Sequence, residues 1–271
     1  MPLDYLSISI MAARTAGSII LERLGSTGEV RHKGRTDLVT ETDVLCEKTI
    51  YRILNDAYPE IGFLSEEGTS DRHDDEVMWV VDPLDGTTNF AHGYPHVAVS
   101  IALIHNGASD VAVVYNPFLK ELFHAELGKG AFLNGNRIYV SNVASLNDAL
   151  LSTGFPYRTC EEPRLPLELF CEIVPRTQGI RRDGAASLDL CYVASGRVDG
   201  FWELALKPWD TAAGVLLIRE AGGIVTDEQG NEYSSGMTLL AGSNGKIHGE
   251  LISLLSRHIT DERLRQWSEP S

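Results

Sequence analysis

One run constrains this chain more than any other: Val77-Met78-Trp79-Val80-Val81 leads without a break into Asp82-Pro83-Leu84-Asp85-Gly86-Thr87. A continuous apolar stretch rich in β-branched and aromatic side chains reads as a buried strand. Such a strand carries whatever follows it to the edge of a sheet, where α/β proteins keep their binding sites. Here it is followed by two carboxylates three positions apart, a proline that fixes the turn between them, and a glycine. The Leu84 carbonyl adds another oxygen, and an oxygen-only donor set favours Mg²⁺ or Mn²⁺ over zinc. Gly86-Thr87-Thr88-Asn89 reads as the opening of a short helix, whose first amides and dipole suit a phosphate group. An Asp-Gly turn with Asx capping would account for Asp85-Gly86 alone. It does not account for the whole run after a buried strand.

Three other segments bring acids that could complete such a site. A strand at residues 61–64 ends in Ser65-Glu66-Glu67-Gly68. Thr40-Glu41-Thr42-Asp43 stands at a helix start, where ordinary capping explains Thr40, Thr42 and Asp43. Lys207-Pro208-Trp209-Asp210 opens a helix over residues 209–220. Pro208 suits its first turn, and Asp210 either complements the helix dipole or projects into a cleft.

The rest of the chain supplies a frame. Residues up to about 24 predict an amphipathic helix, and residues 25–36 a basic, exposed, mobile loop or hairpin. A second helix spans about 42–57, with Leu45, Thr49 and Ile53 on one face and Pro59 as its stop. Strands are expected at 97–104, 111–115 and 121–125, with a meander through 131–140. Gly128-Lys129-Gly130 resembles part of a phosphate loop, but no helix follows it, so a hairpin is the reading. Further on, strands at 149–153, 199–202, 224–226 and 239–241 alternate with helices at 164–173, 185–195, 209–220 and 246–258. An antiparallel meander followed by alternating elements predicts a layered α+β/α/β protein. A boundary near residues 142–147 divides an N-terminal half, 1–145, carrying most of the acids, from a C-terminal half, 146–271, carrying Asp210, the two forming one compact unit.

Charge narrows the partners. A net charge of −15 repels nucleic-acid phosphates, so no nucleic acid is expected as a ligand. It conflicts with a phosphate substrate unless acids cluster where divalent cations neutralise them. No apolar run approaches the roughly 20 residues that span a bilayer, and no signal-peptide pattern opens the chain. The expectation is a cytoplasmic protein without a membrane partner. Cys46, Cys160, Cys171 and Cys191 are far apart with no CxxC pair, which predicts buried reduced thiols.

These residues together carry a resemblance. Asp43 in D-L-V-T-E-T-D, Glu66-Glu67 in S-E-E-G, the run W-V-V-D-P-L-D-G-T-T-N-F, and Trp209-Asp210 in K-P-W-D-T-A-A-G resemble the inositol monophosphatase family, most nearly its bacterial branch. Gly184-Ala185-Ala186 and Glu220-Ala221-Gly222-Gly223 are similar too, and the likeness runs from about residue 37 to 227. It implies a five-layer αβαβα sandwich of the inositol monophosphatase / fructose-1,6-bisphosphatase type, homodimeric, Mg²⁺-dependent and lithium-sensitive.

Position by position, the resemblance implies that Glu66, Asp82 and the Leu84 carbonyl hold one Mg²⁺. Asp82, Asp85 and Asp210 hold a second, and a third, weaker ion lies near Glu66. Thr87, oriented by Asp43, positions or deprotonates the attacking water, with Glu66 assisting. Gly86 and Thr87 amides receive the phosphate. Asp85, Asp210, the Ala186 backbone and Glu203 meet the substrate hydroxyls. Lys33, Glu67 and Arg182 are outer candidates, Arg182 for a second phosphate. Ser65 departs from the glycine common before the acidic pair. The function implied is release of phosphate from inositol-1-phosphate or a related polyol or sugar phosphate. A fructose-1,6-bisphosphatase or dual-activity phosphatase is the alternative, and a regulatory interaction protein the alternative of another class.

Overall fold

Asp4 starts the first helix by accepting the Ser7 amide at 2.7 Å, a side-chain cap that satisfies one of the helix's orphan donors. Helix α1 (Tyr5–Arg23) then buries Ile8, Ala12, Ala16 and Ile20 at a spacing of four. The computed structural model describes residues 4–24, 30–32, 38–71, 76–156, 164–260, 263, 264 and 267. Of the basic segment only Val30–His32 is described, as β1, which pairs antiparallel with β2 (Leu38–Thr40). Lys33 lies outside the described residues. Helix α2 (Glu41–Ala57) packs on α1.

The buried stripe of α2 is not the face that carries Leu45, Thr49 and Ile53. It consists of Thr42, Asp43, Cys46, Glu47, Ile50 and Leu54. The apolar period points to the wrong side because the inward face bears two carboxylates, which no apolar pattern marks.

β3 (Gly62–Ser65), β4 (Ser70–Asp71), β5 (Val77–Asp85), β6 (Ala98–His105), β7 (Ala108–Asn116), β8 (Glu121–Glu126), β9 (Gly130–Leu133) and β10 (Asn136–Arg137) form one sheet. Its order is β10-β9-β8-β7-β6-β5-β3-β4, antiparallel except for the parallel β3/β5 pair. A short helix α3 (Thr87–Ala91) follows β5. Along β5 to β7 the faces alternate by size. Val99, Ile101, Leu103, Val111 and Val113 pack towards α1 and α2, while Ala98, Ala102 and Ala112 face the opposite side. Period-two alternation puts every second residue on one face, and small side chains there let helices approach closely. The Gly128-Lys129-Gly130 turn is a hairpin. Its Gly128 and Gly130 amides donate to the Glu220 carboxylate at 2.7 and 2.6 Å.

The second sheet contains β11 (Leu150–Thr153), β12 (Gly179–Arg181), β13 (Gly200–Leu204), β14 (Ile224–Thr226) and β15 (Leu239–Ser243), in the order β12-β11-β13-β15-β14. Strand β12 has no counterpart in the sequence reading, because three residues are too short to show a period. Helices α5 (Ala186–Ala194) and α6 (Pro208–Glu220) lie between the two sheets. Helices α4 (Arg164–Ile173) and α7 (His248–Leu255) cover the outer face of the second. The result is five layers, αβαβα, with three separate apolar cores between them.

Among the described residues no helix is long and apolar enough to cross a membrane. Cys46 and Cys191 are buried free thiols as expected, but Cys171 is exposed. It lies on the side of α4 opposite Leu165, Pro166, Leu169 and Ile173. Cys160 is outside the described residues.

Candidate active site

The acidic run does not turn away from the sheet at Pro83. Strand β5 continues through Asp85, and its register against β6 shifts between Asp82 and Asp85, where Asp82 pairs with Ser100 and Asp85 with Ala98. Proline cannot donate to a ladder, and a bulge is where an internal strand tolerates it. The β3 pairing ends at Val81, and only β6 runs on beside Asp82 and Asp85, yet both carboxylates are buried rather than exposed at the sheet's edge. Asp82 accepts the Leu84 amide at 2.9 Å, which fixes the kinked backbone.

Gly86 closes the run with φ of 93°, a conformation that favours glycine. A Cβ there would stand 2.9 Å from the His96 carbonyl oxygen. Thr87 then begins α3 and donates its hydroxyl to Asp43 at 2.8 Å. Asp43 serves two elements at once. One oxygen accepts Thr87, and the other accepts the Thr40 amide at 2.8 Å and the Thr40 hydroxyl at 2.5 Å. The capping box of α2 is present, and the link to Thr87 is present beside it. Burial pushes the Asp43 carboxyl up, and the bonds from Thr40 and Thr87 pull it back.

Glu66 follows β3 on the loop to β4, and its amide donates to the Val81 carbonyl at 3.3 Å. That loop is held from α2 by a residue the sequence reading passed over. Glu47, only 3% exposed, accepts the Ser65 and Thr69 hydroxyls, the Glu67 amide at 3.0 Å and the Thr69 amide at 3.3 Å. Ser65 in place of glycine therefore has a partner. Only the spacing of Glu47 four after Asp43, which puts both on one helical face, could have signalled its role.

Asp85 caps α5. Its Oδ2 accepts the Ser187 amide at 2.8 Å and the Ser187 hydroxyl at 2.5 Å, and the Ala186 amide also bonds to the carboxyl. The helix's own N-cap, Ala185, offers no side-chain acceptor. Burial drives Asp85 up to about 6 against these bonds. Asp210 sits in the first turn of α6 and accepts the Lys207 amide at 2.7 Å.

The charges meet in one cleft. Asp82 is raised well above the usual carboxylate range by burial first, then by Glu66, Asp85 and Asp210. Asp210 is raised by burial and then by Glu66, with Asp85 and Glu203 adding to it. Glu203 lies within β13, not after it, and burial pushes it up to about 8 while Arg182 lowers it. Gly154 leaves it room, since a Cβ there would collide with the Glu203 carboxylate. Arg182 itself is exposed. Carboxylates that raise one another in a buried space are poorly matched to each other and well matched to a hard divalent cation. The donor set fits that group: carboxylate oxygens with the Leu84 carbonyl.

Five layers with a carboxylate cleft where β5, α2, α5 and α6 converge define the architecture of a layered phosphatase. The family described as "Inositol monophosphatase family" matches residues 2–260, and the chain belongs to it. Among relatives, it is 46% identical over 263 residues to the Nus factor SuhB of Pseudomonas aeruginosa, covering 94% of this chain and 96% of that one. It is 43% identical to the inositol-1-monophosphatase of Synechocystis sp., over 93% of this chain and 88% of that one. The inositol monophosphatase structure from Anabaena (Nostoc) sp. superposes with a TM-score of 0.86 at 39% identity, over 96% and 98% of the two chains.

Proposed function

We propose that the chain is a Mg²⁺-dependent phosphomonoester hydrolase that releases phosphate from inositol-1-phosphate or a related polyol or sugar phosphate. The observation that carries this is the Thr87 hydroxyl held by Asp43 at 2.8 Å beside the crowded acids Glu66, Asp82, Asp85 and Asp210. In this reading Glu66, Asp82 and the Leu84 carbonyl would hold one Mg²⁺, and Asp82, Asp85 and Asp210 would hold a second. When bound, the ions would supply positive charge that favours ionisation of water and offsets the leaving alkoxide.

The chain's own groups do the positioning. Because Thr87 donates its proton to Asp43, its oxygen presents lone pairs to a water. As that water attacks phosphorus, its proton passes to Thr87 and the Thr87 proton to Asp43. A hydroxyl is a poor base unless a carboxylate takes up its proton, and burial makes Asp43 a better acceptor than an ordinary aspartate. The Thr40 bonds keep that carboxylate from rotating away. Gly86 and Thr87 amides at the start of α3 receive the phosphate, and Glu203, Asp85, Asp210 and the Ala186 backbone meet the substrate's hydroxyls.

Phosphate release from a panel of polyol, sugar and bisphosphate substrates, with Mg²⁺ and with EDTA, tests the reading. Release that EDTA stops and Asp82→Asn abolishes is expected; no release from any substrate with Mg²⁺ sinks it. Arg182→Ala separates the bisphosphatase alternative, which requires selective loss on fructose-1,6-bisphosphate. A second reading is favoured by the relatives called Nus factor SuhB: a contact with transcription machinery through protein surfaces. Retention of a cellular phenotype by a hydrolysis-dead Asp82→Asn chain would support it.

A further inference from the structure

Beside the acidic cleft lies a second group that the hydrolysis does not use. His96, in the connection between α3 and β6, offers a ring nitrogen. Asp183, before α5, and Asp189, in its first turn, each offer a carboxylate oxygen, and the three donor atoms lie within 4.8 Å of one another. His96 is 8% exposed and Asp189 1%. The His96 Nε2 and the Asp189 Oδ1 are both buried with no hydrogen-bond partner. Buried polar groups are almost always satisfied, so two orphans in one cluster call for a missing partner. Asp183 is half-buried and gives the group its opening to solvent.

We propose that His96, Asp183 and Asp189 form a separate site for a zinc-like divalent cation. One imidazole nitrogen and two carboxylate oxygens are a donor set that suits zinc, whereas Mg²⁺ takes oxygen ligands alone. Donor atoms around a four-coordinate zinc stand about 3–4 Å apart, so closing on the ion requires a small side-chain adjustment. The cation would also offset the buried charge of Asp189 beside Asp183.

Asn89 ties together the backbone that carries two of the three ligands. Asn89 donates to the His96 carbonyl at 2.8 Å, to the Asp183 carbonyl at 2.8 Å and to the Gly184 carbonyl at 3.3 Å. The His96 ring packs edge-on against Tyr192 at 5.8 Å. An ion here would pin the loop that carries Arg182 and leads to Ala186 against the segment that follows α3. It therefore bears on substrate fit rather than on the bond-breaking step.

The test strips the full chain with EDTA and reloads it with Zn²⁺ in excess Mg²⁺. After desalting, zinc per chain is measured by plasma mass spectrometry. About one zinc per chain is expected in the unsubstituted protein, falling at least about fivefold in His96→Phe and in Asp189→Asn but not in Asp82→Asn. A substituted chain can lose its fold, so zinc X-ray absorption on the unsubstituted protein is the second measurement. An imidazole among oxygen ligands is expected. Zinc retained equally by His96→Phe, zinc lost in Asp82→Asn instead, or oxygen-only ligation overturns the site.

Discussion

Glu47→Gln isolates the role of the buried carboxylate that holds the Glu66 loop. Each Glu47 oxygen serves one hydroxyl and one amide: Ser65 and Glu67 on Oε2, Thr69 twice on Oε1. Glutamine keeps the shape but turns one oxygen into an NH₂ group. The facing hydroxyl can rotate and accept from it, whereas the facing amide cannot. One buried amide is left without an acceptor, at about 1–3 kcal/mol. At about 2–4 °C per kcal/mol for a chain of this size, the melting temperature falls by about 2–12 °C. A displaced loop also moves Glu66. If that weakens cation binding by about 1.4 kcal/mol, the Mg²⁺ concentration for half-maximal hydrolysis rises about tenfold. Calorimetry and a Mg²⁺ titration of activity read the two effects. An unchanged melting temperature would refute the hydrogen-bond reasoning. A lowered one with an unchanged Mg²⁺ requirement would confine Glu47 to the fold.

Asp43→Asn should slow hydrolysis by about 10²–10⁴-fold, the usual worth of a general base. The melting temperature should change little, because removing a buried charge offsets the weakened cap; equal loss of both would argue for a purely structural Asp43. In EDTA, stability should fall as pH rises from about 4.5 to about 8, because the folded state keeps the Glu203 proton that the unfolded chain has released. That one group contributes a slope of up to about 1.4 kcal/mol per pH unit. Glu203→Gln should flatten this slope in thermal melts, and an unchanged slope would contradict the burial of Glu203. Gly154→Ala should drive the Glu203 carboxylate out of its seat and raise KM more than it lowers kcat; a kcat loss alone would place Glu203 away from substrate.

Much of the frame was legible because it is local. The Thr40 cap, the Pro208 start of α6 and the strands β6 and β7 each show within a turn or a strand length, and each stands in the structure. Even so, the inward face of α2 was misread. Asp43 and Glu47 are buried there because they have donors to meet, and those donors come from β2, α3 and the loop after β3. The turn expected at Pro83 does not leave the sheet, because β6 goes on pairing with β5 across a bulge to Asp85 after the β3 pairing has ended at Val81.

By itself the sequence determined which elements bring the acids, and that Asp82 to Thr87 belongs with a buried strand and the short helix after it. Only the tertiary structure decided what those acids touch. Asp85 finds Ser187 102 residues away, and Thr87 finds Asp43 44 residues away. Glu203 keeps its half-buried seat because the glycine at 154 in a neighbouring segment leaves it space. Periodicity and capping act over a few residues, whereas these partnerships exist only once elements distant in sequence have packed together.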